Sequence, residues 1–496
     1  MSDKVSFYLN GKEVTVQNPS PDLLLIDYLR SPGVGLAGPK KPCAQGGCGG
    51  CTVILSHWNK EENKAEHRAI NSCLRPVCAL GGLVVTTVEG TGAARTPNPA
   101  FLNHAPTFSR GGISPGAPPP PVLADAQDDA LAKRRAVLAE VHKAPQADSD
   151  WVAKLKLADE PPDHPSSACH AGMNPVAYRL AMNNGSQCGY CSVGFVMNMS
   201  EFIVNHPKAT KREIEDAFDG NICRCTGYRS ILTGMKTFAS DWTEEDEKQR
   251  MKCKGDAGCE AQRPADVKIP FPDEAKAPPQ PVSAEAGGHI WLTPRTVEEL
   301  VRIIEDNRRK KLRLVHGNTS YGIYKEEYLE AEVLVDIRLI PDLHAGPRVI
   351  KGELYVGAGI SYSDLIDAME RELKERKLGE ASRMWAANFM ARRTAGRIVR
   401  NAASLGGNTM LVLKHIAAGA GEPFPSDIFT TLVAIEARIE YVEVASGKRA
   451  RRTESTVEEL VKLVAESPRL ADNIVLLSYY LPLGEPREVV LAQKVA

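Results

Sequence analysis

Pro42-Cys43-Ala44-Gln45-Gly46-Gly47-Cys48-Gly49-Gly50-Cys51 is the stretch from which the rest of the chain can be understood, with Cys73 as its distant companion. A Cys43-x4-Cys48-x2-Cys51 run closed by a later cysteine is the spacing with which plant-type ferredoxins hold a [2Fe-2S] cluster. Glycines crowd the loop because a backbone wound around an inorganic core needs positive φ in places and N–H groups aimed at sulfur. A second tetrad lies farther on. Gln187-Cys188-Gly189-Tyr190-Cys191 supplies two thiols, and Asn221-Ile222-Cys223-Arg224-Cys225-Thr226-Gly227-Tyr228-Arg229 the other two. Four thiolates also suit a structural zinc ion, which is the alternative at both places. A single closed ion has no use for the glycine loop, however, and a one-residue gap between ligands is unusual for zinc.

These tetrads, in this order, make the chain resemble the iron–sulfur and flavin portion of the molybdenum hydroxylases, the xanthine dehydrogenase and aldehyde oxidase family. The resemblance covers most of residues 3–90, 172–240 and 287–496. It implies that Cys43, Cys48, Cys51 and Cys73 hold one cluster in a β-grasp ferredoxin domain. Cys188, Cys191, Cys223 and Cys225 would hold the other in a helical bundle beside a molybdenum-pterin cofactor, with Gln187 at a position that touches the pterin.

At 496 residues the chain exceeds what one hydrophobic core serves, so three or four domains are expected. Lys and Arg number 61 and Asp and Glu 62, so there is no global basic field to draw nucleic acid. The opening residues lack a basic segment followed by an apolar one, and no later run reaches the ~18 apolar residues of a spanning helix. A soluble cytoplasmic protein is expected. Cysteines clustered at ligand spacings in a long chain favour metal binding over a disulfide framework. Cys78, Cys169, Cys253 and Cys259 are left over; Cys78 reads as a small buried side chain, and Cys253 with Cys259 as a labile disulfide at most.

The expected architecture is α+β and multidomain. Residues 1–90 form the ferredoxin domain: a hairpin around Asn10-Gly11, a helix after Pro21, the cluster loop, and strands over 52–56 and 82–89. Residues 91–171 read as a Pro-rich insertion, with Pro118 to Pro121 unbroken and one helix over 129–141. Residues 172–240 form the helical cluster domain, with helices over 193–203 and from Lys211 to Phe218; residues 241–286 are a charged, Pro-rich linker. Residues 287–496 form an α/β domain, in which Thr296 and Glu299 make a capping box and Lys311 to Val315 a strand.

Directly after that strand comes His316-Gly317-Asn318-Thr319-Ser320-Tyr321-Gly322, a small turn able to offer backbone N–H groups and a hydroxyl to a diphosphate. A second such loop, Asn401-Ala402-Ala403-Ser404-Leu405-Gly406-Gly407-Asn408-Thr409, suits a pyrophosphate held from both sides. No Gly-x-Gly-x-x-Gly follows a first strand, so a Rossmann site is not supported. The pair resembles the FAD-binding domain shared by molybdenum hydroxylases and vanillyl-alcohol-oxidase-like flavoproteins. That resemblance implies FAD contacts from Leu314, Val315, His316, Gly317, Asn318, Thr319, Ser320 and Tyr321, and from Ser404, Leu405, Gly406, Gly407 and Asn408. It adds Asp427, Leu476 and Lys494. Three departures from the family pattern stand out: Lys414 to Pro423 is inserted before Asp427, Thr394 stands where an aromatic residue often precedes the second loop, and the sequence ends after an expected strand over 488–494 where the family continues with a C-terminal subdomain, which is expected either to be lacking here or to be supplied elsewhere.

The resemblance implies an oxidoreductase subunit with no catalytic acid or base of its own. Substrate, be it purine, aldehyde or N-heteroaromatic ring, would be hydroxylated on a large molybdenum-cofactor subunit in a hetero-oligomer. Electrons would pass through both clusters to FAD and on to an acceptor such as NAD. Arg224, between two ligands, reads either as a tuning charge or as a surface charge facing a partner. A stand-alone iron–sulfur flavoprotein reductase and a flavin-less assembly subunit are the alternatives.

Overall fold

The computed structural model describes residues 3–91, 174–250, 267–419, 424–444, 451–484 and 488–494. The Pro-rich insertion with its expected helix, and Cys169, Cys253 and Cys259, lie outside the described residues. Among the described residues no helix is long and apolar enough to cross a membrane.

Asn10 and Gly11, at φ 51° and 82°, turn β1 (Lys4–Leu9) back into β2 (Lys12–Gln17), as an Asn-Gly pair favours. With β3 (Thr52–Asn59), β4 (Lys64–Asn71) and β5 (Val84–Thr86) they form a five-stranded sheet of order β2-β1-β5-β3-β4, β1 and β5 running parallel. β4 was not expected. Its sequence carries few β-branched or aromatic residues, and pairing with β3 along its whole length decides its conformation. The helix Leu25–Arg30 starts later than Pro21 suggests, because Asp22 accepts a hydrogen bond from the Ser20 hydroxyl and the chain is still extended at Leu24. It buries Leu25, Ile26, Tyr28 and Leu29 against the sheet, each worth roughly 1.5–3 kcal/mol of burial.

The second module packs helices Pro175–Met182, Ser192–Asn205, Lys211–Asp216 and Arg229–Lys236 around Val176, Phe195, Met199, Ile214, Ile231 and Met235. Thr210 and Glu213 close a capping box at the third of these helices.

Residues 241–286, expected as a linker, are in part structured. Phe271 packs on Trp58 with ring centroids 5.8 Å apart, and the Lys276 ammonium lies 4.7 Å over the same indole. The stretch ends in a strand, β6 (Ser283–Ala286), because Val282 and Ala284 are buried there despite the prolines around them.

β6 pairs with β7 (His289–Leu292), and β8 (Leu312–Val315) and β9 (Val333–Asp336) complete a sheet of order β6-β7-β9-β8. The remaining strands, β10 (Arg348–Ile350), β11 (Glu353–Gly357), β12 (Arg438–Glu443), β13 (Arg451–Thr456) and β14 (Ile474–Pro482), make an antiparallel sheet of order β10-β11-β14-β12-β13. Helices Tyr362–Arg376, Arg383–Arg392, Leu405–Ala417, Asp427–Ala434 and Val457–Glu466 share its core. The expected capping box at Thr296 is half formed: its hydroxyl accepts from the Glu299 N–H, while the Glu299 carboxylate turns to the Arg295 N–H. Residues 488–494 form no strand; the Val490 N–H donates to the Ala381 carbonyl (2.7 Å).

The first module and the four-stranded sheet are not merely tethered. Trp291, Tyr321, Tyr328 and Leu334 join Phe7, Leu25, Leu29 and Val85 in one hydrophobic core, and the Tyr328 hydroxyl donates to the Pro21 carbonyl (2.6 Å).

Candidate functional site

The loop between the first helix and β3 carries Cys43, Cys48 and Cys51, and Cys73 follows β4. Ala44, Gly46 and Gly49 take φ of 56°, 80° and 71°, the winding anticipated for this loop. The four sulfurs gather as two pairs, Cys43–Cys48 and Cys51–Cys73, each 3.3 Å apart. The second tetrad is likewise paired: Cys188 and Cys225 sulfurs lie 3.5 Å apart, and Cys191 bonds Cys223. Two thiolates on each side of a diiron core suit this pairing.

Donors surround the sulfurs. The Gln45 N–H points at the Cys43 sulfur (3.4 Å) and the Asn71 amide at the Cys51 sulfur (3.5 Å). Burial opposes ionisation of Cys43, yet the N–H groups of Gln45, Cys48 and Gly47 hold its thiol below the ordinary value. The hydrogen bond with Cys73 draws Cys51 down to about 6 and raises Cys73 in turn. In the second loop, Gly189, Gly227 and Tyr228 take positive φ, and the Tyr228 hydroxyl accepts from the Cys223 N–H (3.1 Å).

The two cysteine loops touch. The Ile222 N–H, adjacent to Cys223, donates to the carbonyl of Cys48 (3.1 Å). A Cβ on Gly194 would sit 2.2 Å from the Gly49 carbonyl oxygen, so this approach requires glycine. On its other side the second tetrad opens outward: Gln187, Cys188, Arg224 and Cys225 are exposed, with Tyr190 at 51% and Ile222 at 57%.

Between the two sheets of the third module lies a cavity of about 960 Å³. Both small-residue loops line it. Leu314, Val315, His316, Gly317, Asn318, Thr319 and Ser320 face it from the end of β8, and Ser404, Gly406, Gly407 and Asn408 from the start of the helix Leu405–Ala417. The Ser404 hydroxyl caps that helix by accepting from the Gly407 N–H (3.1 Å), and Gly317 packs so closely on Ala402 that a Cβ would lie 1.8 Å from its oxygen. Leu476 and Thr394 also line the cavity. Tyr321 and Leu405 are buried and do not line it. Asp427 and Lys494 pair with each other outside the lining, next to Ser426, whose hydroxyl donates to Asn408 (2.6 Å). Gln187 belongs to the second cluster loop and does not reach the cavity.

Two buried polar atoms in this lining, His316 Nδ1 and Tyr362 Oη, have no partner, so a polar ligand fits the cavity. Burial pushes His316 down to about 3, and it is neutral near pH 7. Sequence reasoning missed Arg308, Lys310, Lys311, Arg313, Lys414 and Tyr362 in the lining. The run Arg308-Arg309-Lys310-Lys311-Leu312-Arg313 was legible as a concentration of cations at the start of β8, where Lys311 pairs with Glu330 (2.8 Å) and Arg313 with Glu327 (2.6 Å).

The loop 316–322 is fixed to the first cysteine loop. The Asn318 amide donates to the carbonyl of Leu74 (2.8 Å), next to Cys73, and a Cβ on Gly322 would lie 2.3 Å from the Gln45 carbonyl oxygen.

Three family models match the chain: a 2Fe-2S iron-sulfur cluster binding domain over residues 7–78, a [2Fe-2S] binding domain over 165–236, and the FAD binding domain in molybdopterin dehydrogenase over 283–483. Xanthine dehydrogenase of Drosophila pseudoobscura pseudoobscura is 29% identical over 476 residues, covering 91% of this chain and 29% of that protein. Xanthine dehydrogenase of Drosophila subobscura is 30% identical over 471 residues (90% and 28%), and aldehyde oxidase 2 of Cavia porcellus 28% over 440 (82% and 27%). The chain thus spans less than a third of the length of these curated relatives. Among solved structures, quinoline 2-oxidoreductase from Pseudomonas putida 86 matches at 19% identity and a TM-score of 0.28, covering 50% of this chain and 98% of that one.

Proposed function

Because the chain belongs to the molybdenum hydroxylase family, whose two [2Fe-2S] domains and FAD-binding domain it carries, we propose that it is the electron-transferring part of such an oxidoreductase. It receives electrons from a molybdenum-cofactor polypeptide and delivers them to an acceptor such as NAD. When bound, the clusters exchange single electrons and the flavin can release them as a pair. The exposed Cys188–Cys225 pair, flanked by Tyr190 and Ile222, is the entry side, and Gln187 lies beside it for contact with the pterin. The Ile222–Cys48 hydrogen bond links the second tetrad to the first, and the Asn318–Leu74 hydrogen bond links the first to the flavin loop.

In the same proposal the first module is a β-grasp ferredoxin domain and the third a vanillyl-alcohol-oxidase-like FAD domain. Leu314 to Ser320 and Ser404, Gly406, Gly407 and Asn408 cradle the diphosphate, while Tyr321 and Leu405 support those loops from behind. Asp427 and Lys494 hold the cofactor's outer edge, and Leu476 supplies an apolar wall. The observation that carries the proposal is the arrangement of eight thiols as four close pairs, two in each of two tetrads whose loops touch.

Cys43→Ser and Cys188→Ser are each expected to abolish one distinct electron paramagnetic resonance signal of the reduced holoprotein and spare the other. Survival of both signals in either variant would remove these ligands from the proposal. A co-purifying large chain that contains molybdenum would identify the electron donor.

A further inference from the structure

Arg75 lies two residues beyond Cys73 and is 8% exposed. Its guanidinium meets carbonyls rather than a carboxylate: one nitrogen donates to Ala79 O (2.9 Å) and another to His316 O (3.2 Å), while Nε has no partner. Together with Asn71 and Leu74 it lines a small void closed on the other side by Gly317 and Thr319 of the flavin loop. Asn71 in turn donates to the Cys51 sulfur. Arg75 therefore stands at the seam between the first cluster loop and the flavin loop.

The charges around it do not cancel. Asp336 is the acidic group that acts on Arg75, and it is fully buried and already engaged by Arg338 (2.9 Å). Arg338 adds a second positive charge, and its other nitrogen donates to the Gly81 carbonyl (3.2 Å). His316 and His344 stack nearby at 5.2 Å, and burial favours the neutral form of both. One positive charge is left over in a region shielded from water.

Resting on the function proposed above, we propose that Arg75 sets the potential of the Cys43/Cys48/Cys51/Cys73 cluster: its fixed charge favours the form that has gained one electron and so directs electrons toward the flavin side. An added electron in a poorly screened site is stabilised by any fixed cation close to it, which is one of the protein's means of tuning such centres.

The test is a redox titration of the holoprotein followed by paramagnetic resonance, with dithionite as the electron source. Arg75→Gln is expected to lower the reduced-to-oxidised ratio of the Cys43-dependent signal about tenfold at fixed potential, which is ~59 mV for a one-electron couple. Arg75→Lys keeps the charge and is expected to restore most of that shift. Asp336→Asn removes the opposing charge and is expected to move the same midpoint upward, while the Cys188-dependent signal moves less in every variant. Midpoints that stay put, or that move in the same direction in Arg75→Gln and Asp336→Asn, would overturn the proposal; if Arg75→Gln does not fold, Asp336→Asn with Arg75→Lys decides. A wild-type protein with neither signal would instead overturn the proposed function itself.

Discussion

Gly317 carries a burden that its position in the sequence only hints at. The loop 316–322 and the Ala402 loop meet there without room for a single carbon, so Gly317→Ala must push two backbones apart. We expect a cost of about 1–3 kcal/mol and a loss of bound flavin, read from the flavin absorbance of purified protein; full flavin content would contradict it. His316 beside it makes a pH prediction. Its folded pKa, about 3, lies below the ordinary value of 6.5, so the neutral form is the one the fold accommodates. Stability is then fully present above about pH 6.5 and falls as pH drops toward 3, because the unfolded chain takes up the proton first. At about pH 4.5 this loss amounts to about 2–3 kcal/mol. His316→Asn should flatten that share of the acid limb in denaturant titrations, and an unchanged limb would count against a buried neutral imidazole. At this scale the two groups of four cysteines were legible because close spacing along the chain limits which thiols can meet, and the structure brings them together as pairs. The orphaned atoms His316 Nδ1 and Tyr362 Oη were not, since a missing partner is a property of packing.

Elements explain how the modules hold register. The short helix Arg397–Arg400 sends the Arg397 guanidinium into the second module, where it pairs with Glu201, fully buried, and donates to Asn198 (3.1 Å). Asn198 also donates to the Asn221 side chain (2.7 Å), on the loop whose next residue reaches Cys48. Breaking such a pair strands a buried charge. Glu201→Ala should cost about 3–5 kcal/mol, seen as a lowered denaturation midpoint, whereas a change under about 1 kcal/mol would mean the pair holds nothing together. The Asn10-Gly11 hairpin and the strand before His316 were readable because turn chemistry and alternation act over a few residues. β4 and the half-formed cap at Thr296 were not, since a neighbouring strand in one case and the Arg295 N–H in the other compete for the same groups.

At the scale of the whole molecule, the sequence suggests modules strung on linkers, and the described residues instead share interfaces. Trp291 and Tyr328 enter the core of a domain hundreds of residues earlier, a contact with no local periodicity to announce it. Those interfaces bring the Ile222 N–H to the Cys48 carbonyl and the Asn318 side-chain amide to the Leu74 carbonyl, so that both contacts between the loops are held by packing. The most direct check of this account is elemental analysis of anaerobically isolated protein. The thiol pairs predict about four irons and about four acid-labile sulfides per chain, together with flavin. Zinc in the absence of acid-labile sulfide would contradict it.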